Sequence, residues 1–66
     1  MKLADIKEGM KLKAVGAYAD CIRKGDEFTV RLQDGDLVID CAVGAHNLDI
    51  EMVHNDGDIP ELEPAP

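Results

Sequence analysis

The sequence predicts an all-β domain in which four to five short antiparallel strands close into a small barrel. Apolar and polar residues alternate over 27–33 and again over 36–43, at the two-residue period of half-buried strands. Glycine-containing turns separate the apolar runs, and no long helical pattern is present. Closure into a barrel is then expected because it removes the exposed edges of a small sheet.

The most strongly indicated element is a hairpin over residues 25–43. Asp34-Gly35-Asp36 predicts its turn, because glycine tolerates positive φ and an aspartate side chain can bond the local backbone. Antiparallel pairing is expected to place six apolar side chains on one face and Val38 on the other. Those six are Phe28, Val30, Leu32, Leu37, Ile39 and Cys41.

Before the hairpin, the sequence predicts a helical turn and a first strand. Residues 3–8 place Leu3 and Ile6 on the same side of one short N-terminal helical turn. Residues 10–14 alternate as a strand, which we expect to continue to residue 18. The polar stretch 19–25 then predicts a loop over one end of the barrel.

After the hairpin, residues 44–48 predict a short connection with a single 3₁₀ turn. Residues 49–54 alternate again and predict a last strand with Ile50 and Met52 on one face. The stretch 55–58 is a second turn signal.

Domain organisation follows from these elements. Residues 1–59 are expected to form a single small domain. Residues 60–66 are rich in Pro and Glu and predict a flexible tail, extended or disordered beyond about Leu62.

The charge is unevenly distributed over the 66 residues, whose net charge is −7. Residues 1–25 carry six basic and three acidic side chains (6 − 3 = +3). Residues 26–66 carry Arg31 against eleven acidic side chains (1 − 11 = −10). Binding to nucleic-acid phosphate requires clustered Lys and Arg, so no direct nucleic-acid contact is expected.

The chain has no apolar run of membrane-spanning length and does not begin with a signal-peptide pattern. Its two cysteines, Cys21 and Cys41, do not form the framework typical of small secreted domains. We therefore expect a reduced, cytoplasmic protein that does not bind membranes.

The sequence favours a protein that is not an enzyme and has no cofactor. It contains no serine, which excludes a serine nucleophile. Cys41 and His46 could supply a thiol and a base. Cys41 lies at an inward-facing position, however, where a free cysteine usually acts as a small apolar residue.

Four side chains are weak candidates for zinc ligands: Cys21, Cys41, His46 and His54. Their spacing lacks the close cysteine pair of typical zinc sites, so no metal is expected. A disulfide between the two cysteines is the alternative if their Cα atoms approach within about 7 Å, although a cytoplasmic setting argues against it.

The Lys24-Gly25-Asp26 turn, the Phe28-Thr29-Val30 strand and the Gly44-x-His46-x-Leu48 element resemble Src-homology-3-like (SH3-like) small barrels, in particular bacterial and phage- or prophage-encoded members. The resemblance covers roughly residues 9–53. It implies a compact adaptor or binding module, often of uncharacterised role. The chain lacks tryptophan and has only two aromatic residues, so the aromatic groove that binds proline-rich peptides is not expected.

Three functions remain open from the sequence. The first is a non-catalytic protein-binding module whose partner, a host protein if the phage resemblance holds, contacts an outward acidic face. That face comprises Asp34, Asp36, Asp40, Asp49 and Glu51. The second is an acidic nucleic-acid mimic that inhibits a DNA- or RNA-binding protein. The third is a self-assembling structural subunit, since the oppositely charged halves could associate; a monomer or a weak homo-oligomer is expected.

Overall fold

The computed structural model describes all 66 residues. Six strands make up most of its regular structure: β1 Lys11–Ala14, β2 Glu27–Thr29, β3 Arg31–Gln33, β4 Asp36–Cys41, β5 Gly44–Asn47 and β6 Leu62–Pro64. The helical segments are 3₁₀ turns at Leu3–Asp5 and Leu48–Ile50 and one α-helical turn, α1, at Glu51–His54.

The strands form two antiparallel three-stranded sheets, with the orders β2-β1-β6 and β3-β4-β5. The prediction of a small all-β domain is thereby confirmed. The two sheets do not close into a continuous hydrogen-bonded barrel.

Val30 lies at the crossing between the two sheets, between β2 and β3. Its backbone nitrogen donates to the Met10 carbonyl at 2.9 Å, and its carbonyl accepts from the Gly9 nitrogen at 2.8 Å. The side chain is fully buried. The run 27–33 therefore passes from the first sheet to the second around one core residue.

The predicted hairpin is present between β3 and β4. Gln33 lies opposite Asp36, and the loop between them is Asp34-Gly35. Both loop residues have positive φ, 52° and 86°, as the turns that match strand twist require. The turn prediction is confirmed.

The predicted apolar face of this hairpin is wrong at two positions. Leu32 is 46% exposed, whereas Val38, expected to face outward, is only 2% exposed. Arg31 and Asn47 lie directly opposite Val38 on the two neighbouring strands. Their side chains bond to carboxylates of β4 on the same face, and Val38 is not a member of the hydrophobic core cluster.

The N-terminal segment matches the prediction in its helical turn and in the start of its strand. Leu3 and Ile6 are both buried, and β1 buries Leu12 and Ala14. The strand ends at Ala14 and does not continue to residue 18. There the chain turns back on itself, and Tyr18 makes an isolated bridge to the buried Ile22 inside the 19–25 loop.

Two predictions for residues 44–54 are wrong. The supposed connection is strand β5, which pairs with β4. The supposed strand 49–54 is instead helical. Asn47 caps this helical segment, because its Oδ1 accepts from the Asp49 nitrogen at 2.8 Å. Helical spacing then buries Leu48 and Glu51 and leaves Ile50 exposed.

The C-terminal segment differs from the expected flexible tail. The turn at 55–58 is present, with positive φ at Asp56 and Gly57. Beyond it, β6 pairs with β1, and Leu62 lies opposite Ala14. Ile59 and Leu62 are fully buried, so these two apolar residues hold the Pro- and Glu-rich segment on the sheet.

The hydrophobic core draws on both sheets, the first 3₁₀ turn and the 19–25 loop. Its members are Leu3, Ile6, Leu12, Ala14, Tyr18, Ile22, Val30, Ile39, Leu48, Ile59 and Leu62. No helix of the structure has the length and apolar character that a membrane crossing needs.

Candidate functional site

Cys21 and Cys41 form a disulfide, with their Cα atoms 6.0 Å apart. This corrects the expectation of a reduced protein and of a free thiol at Cys41, because no free cysteine remains. The bond joins the 19–25 loop to the end of β4. Disulfides of this kind persist in oxidising compartments.

The four candidate zinc ligands do not come together. The cysteines are consumed by the disulfide. His46 contacts Tyr18, and His54 lies exposed at the end of α1. No group of three or more His, Cys, Asp or Glu side chains is placed to hold a metal ion.

Two of the five predicted binding-site acids are not free surface carboxylates: Glu51 is buried, and Asp40 is exposed but ion-paired. Glu51 is buried, at 8% exposure, which corrects its expected outward orientation. Asp40 forms a two-bond ion pair with Arg31, at 2.8 Å and 2.9 Å. The hydrogen bond from Arg31 holds the pKa of Asp40 below its ordinary value.

The other three, Asp34, Asp36 and Asp49, gather at the tip of the β3–β4 hairpin, and we call them the hairpin-tip acids. Asp36 accepts from the Asn47 amide at 2.9 Å, and Asp49 accepts from the Leu37 backbone nitrogen at 2.9 Å. Asp34 is exposed in the turn. None of the three has a cationic partner within 4.0 Å.

Ion pairing neutralises little of the acidic surface. The structure contains two ion pairs, Lys2–Asp58 and Arg31–Asp40. Twelve of the 14 acidic side chains (14 − 2 = 12) therefore have no cation within 4.0 Å. The negative charge of residues 26–66 remains largely uncompensated.

A hydrogen-bonded network joins the buried Tyr18 and Glu51 to His46 and Asn55, and no pattern in the sequence indicates it. The Tyr18 hydroxyl donates to Glu51 Oε1 at 3.1 Å, and the Asn55 amide donates to Glu51 Oε2 at 2.6 Å. His46 Nε2 lies 3.1 Å from the Tyr18 oxygen. Because the Tyr18 proton is donated to Glu51, His46 must donate to Tyr18 from Nε2.

The network changes the acidity of Tyr18. Burial of the side chain is the main cause that raises the Tyr18 pKa above its ordinary value, and the adjacent Glu51 carboxylate and the more distant Glu61 raise it further. The neutral, hydrogen-bonded phenol is therefore strongly favoured in the folded protein.

We predict that Tyr18→Phe changes the alkaline limb of the stability curve. In the unfolded chain Tyr18 loses its proton near pH 10, whereas the raised pKa keeps it protonated in the folded state. The stability that the hydroxyl provides, about 1 kcal/mol, is thus complete below pH 10 and lost as the pH rises above it. Urea unfolding at a series of pH values measures this loss.

Tyr18→Phe should be the less stable protein near neutral pH, and the difference should shrink above about pH 10. A constant difference across the alkaline range would contradict the role given to the hydroxyl. The exposed Lys24→Gln variant controls for the general effect of alkaline pH on charge.

Three exposed apolar side chains occupy the segment next to the hairpin-tip acids. Ile50, Met52 and Val53 are 46%, 59% and 81% exposed, and we call them the apolar turn. The segment that carries them is fixed from below by Leu48 and Glu51, which are buried. No pocket opens on the surface of the protein.

Comparisons of the chain with protein-family models, with curated proteins and with solved structures gave no match.

Proposed function

We propose that this chain is a non-catalytic protein-binding module with an SH3-like fold, and that its partner presents a basic surface to the hairpin-tip acids. The fold part is supported by the strand order. The last strand, β6, pairs with the first, β1, and the run 27–33 connects the two sheets. The first and last strands of the chain are therefore hydrogen-bonded neighbours, as closure of a small barrel requires.

The observation that carries the binding part is the position of Asp34, Asp36 and Asp49. They lie at one end of one sheet and lack cationic partners. Like charges held close together repel one another, and a basic partner relieves that repulsion while being steered toward the tip. Asp40 and Glu51 are left out of this surface, because one is ion-paired and the other buried.

The proposal is tested by affinity capture from a cell lysate with the natural protein and with an Asp34→Asn/Asp36→Asn variant. Asparagine keeps the shape of both side chains and removes two charges, so the fold is expected to be retained. The matched control is Asp5→Asn/Asp20→Asn, which removes the same charge from two exposed positions in the N-terminal half.

We expect a specific protein to be captured by the natural sequence and by the control, and to be lost from the hairpin-tip variant. Capture should also weaken as the ionic strength rises. Equal capture by all three proteins would contradict a role for the hairpin tip in binding.

A further inference from the structure

We infer that the hairpin-tip acids and the apolar turn form one continuous docking surface, and that it binds a partner segment in which basic side chains stand beside apolar ones. The inference rests on the proposed function and goes further, because it names the second half of the surface and the chemistry of the segment that covers it.

Asp49 joins the two halves of the surface. It precedes Ile50 in the same 3₁₀ turn, and its carboxylate accepts from the Leu37 nitrogen at the start of β4. Strand β5 has ended at Asn47, so no backbone carbonyl of that strand takes this bond. Leu32, directly opposite Leu37, is also exposed. The hairpin tip and the apolar turn are thus held together by a side chain that belongs to both.

The backbone of the apolar turn is anchored before any partner binds. The Asn47 cap holds its start, and Glu51 accepts hydrogen bonds from the buried Tyr18 and from Asn55 at the end of α1. Ile50 and Val53 stand three residues apart, which places them as neighbours on the outer side of the segment. A partner that covers them pays little entropy to order this backbone.

Exposed apolar side chains grouped on an anchored segment are typical of interaction sites. The charge beside them selects the partner. Asp49 flanks the apolar turn on one side and Asp56 follows it on the other, and neither has a cationic partner within 4.0 Å. An acidic or purely apolar segment would leave these carboxylates repelled or poorly hydrated.

The experiment uses a fluorescent ten-residue peptide of alternating leucine and lysine as the probe, with fluorescence anisotropy as the readout. Ile50→Ser/Val53→Ser removes most of the apolar area of the turn. Its control is Val43→Ser, which alters an apolar side chain in the β4–β5 turn that is about as exposed as Val53. All the changed side chains are exposed, and circular dichroism verifies that each variant is folded.

We expect Ile50→Ser/Val53→Ser to weaken peptide binding about tenfold or more, and Val43→Ser to leave it unchanged. A peptide with serine in place of leucine should also bind the natural protein about tenfold or more weakly. Its affinity for Ile50→Ser/Val53→Ser should be nearly equal to its affinity for the natural protein.

The outcomes separate this inference from the proposed function. The Asp34→Asn/Asp36→Asn variant is titrated with the same leucine–lysine peptide. If Ile50→Ser/Val53→Ser binds the peptide as well as the natural protein does, while Asp34→Asn/Asp36→Asn binds it more weakly, the docking surface is overturned and the acidic binding site is retained. If neither variant binds more weakly, both are overturned. Sedimentation of the natural protein as a dimer, and of Ile50→Ser/Val53→Ser as a monomer, would assign the apolar turn to a second copy and overturn the external partner.

Discussion

The Cys21→Ala/Cys41→Ala variant is expected to be less stable than the disulfide-bonded protein by about 3 kcal/mol. The disulfide joins residues 20 apart in sequence, and closing a loop of this size removes much of the conformational freedom of the unfolded chain. Small domains have total stabilities of roughly 5–15 kcal/mol. The loss would therefore be a large share of what holds this protein folded, and urea unfolding measures it.

Two controls test whether the bond itself is responsible. The natural protein treated with a dithiol reductant should unfold at nearly the same urea concentration as the double variant. Cys21→Ala and Cys41→Ala alone should each be about as unstable as the double variant, because either one removes the bond. Thiol titration that finds two free cysteines in the air-oxidised protein would contradict the structure.

Glu51→Ala is expected to lower the free energy of unfolding by about 2–3 kcal/mol. The carboxylate is the acceptor for both the Tyr18 hydroxyl and the Asn55 amide. Its loss leaves the buried Tyr18 hydroxyl without its acceptor, whereas Asn55 is exposed and its amide can bond to water. The helical segment 48–54, which carries the apolar turn, should also become less ordered. Urea unfolding at neutral pH gives the stability, and amide hydrogen exchange over residues 48–55 gives the local effect.

Glu51→Gln is the informative companion variant. It keeps one oxygen for the Tyr18 hydroxyl but sets an NH₂ group against the Asn55 amide, so a smaller loss is expected. Glu63→Ala, in which an exposed carboxylate of β6 is removed, should change stability little. A loss for Glu51→Ala no larger than that for Glu63→Ala would contradict the network.

The hairpin could be predicted from the sequence because two independent signals agree there. Alternation gives the strands, and Asp34-Gly35 gives a turn that only residues tolerant of positive φ can adopt. The burial of individual side chains could not be predicted in the same way. Val38 is buried although it lies outside the hydrophobic core cluster and its cross-strand neighbours Arg31 and Asn47 are polar, and alternation does not predict burial at such a position.

Alternation predicts a strand over the helical residues 49–54, because six residues are too few to separate the two periods. Apolar residues at 50 and 52 fit a strand, while 50 and 53 fit a helix equally well. The distinguishing signal was Asn47, a favoured capping residue directly before this segment. The helical period is the one that places Glu51 inside and Ile50 and Val53 outside.

The disulfide and the buried network could not be predicted because both join distant parts of the chain. The spacing of Cys21 and Cys41 fits a bonded pair as well as two separate residues, and the fold decides between them. Tyr18 and Glu51 are 33 residues apart, and no local pattern links them. Of the five acids predicted to form the site, Asp34, Asp36 and Asp49 are the ones that the structure leaves together and without cationic partners.

NMR can map the proposed binding surface made of the hairpin-tip acids and the apolar turn. Backbone amide signals of the ¹⁵N-labelled, disulfide-bonded protein are followed while the leucine–lysine peptide is added. We expect the largest shifts on residues 34–37 and 48–54, with little change around Val43 and β6. Shifts concentrated on other strands, with these two segments unaffected, would contradict the proposed surface.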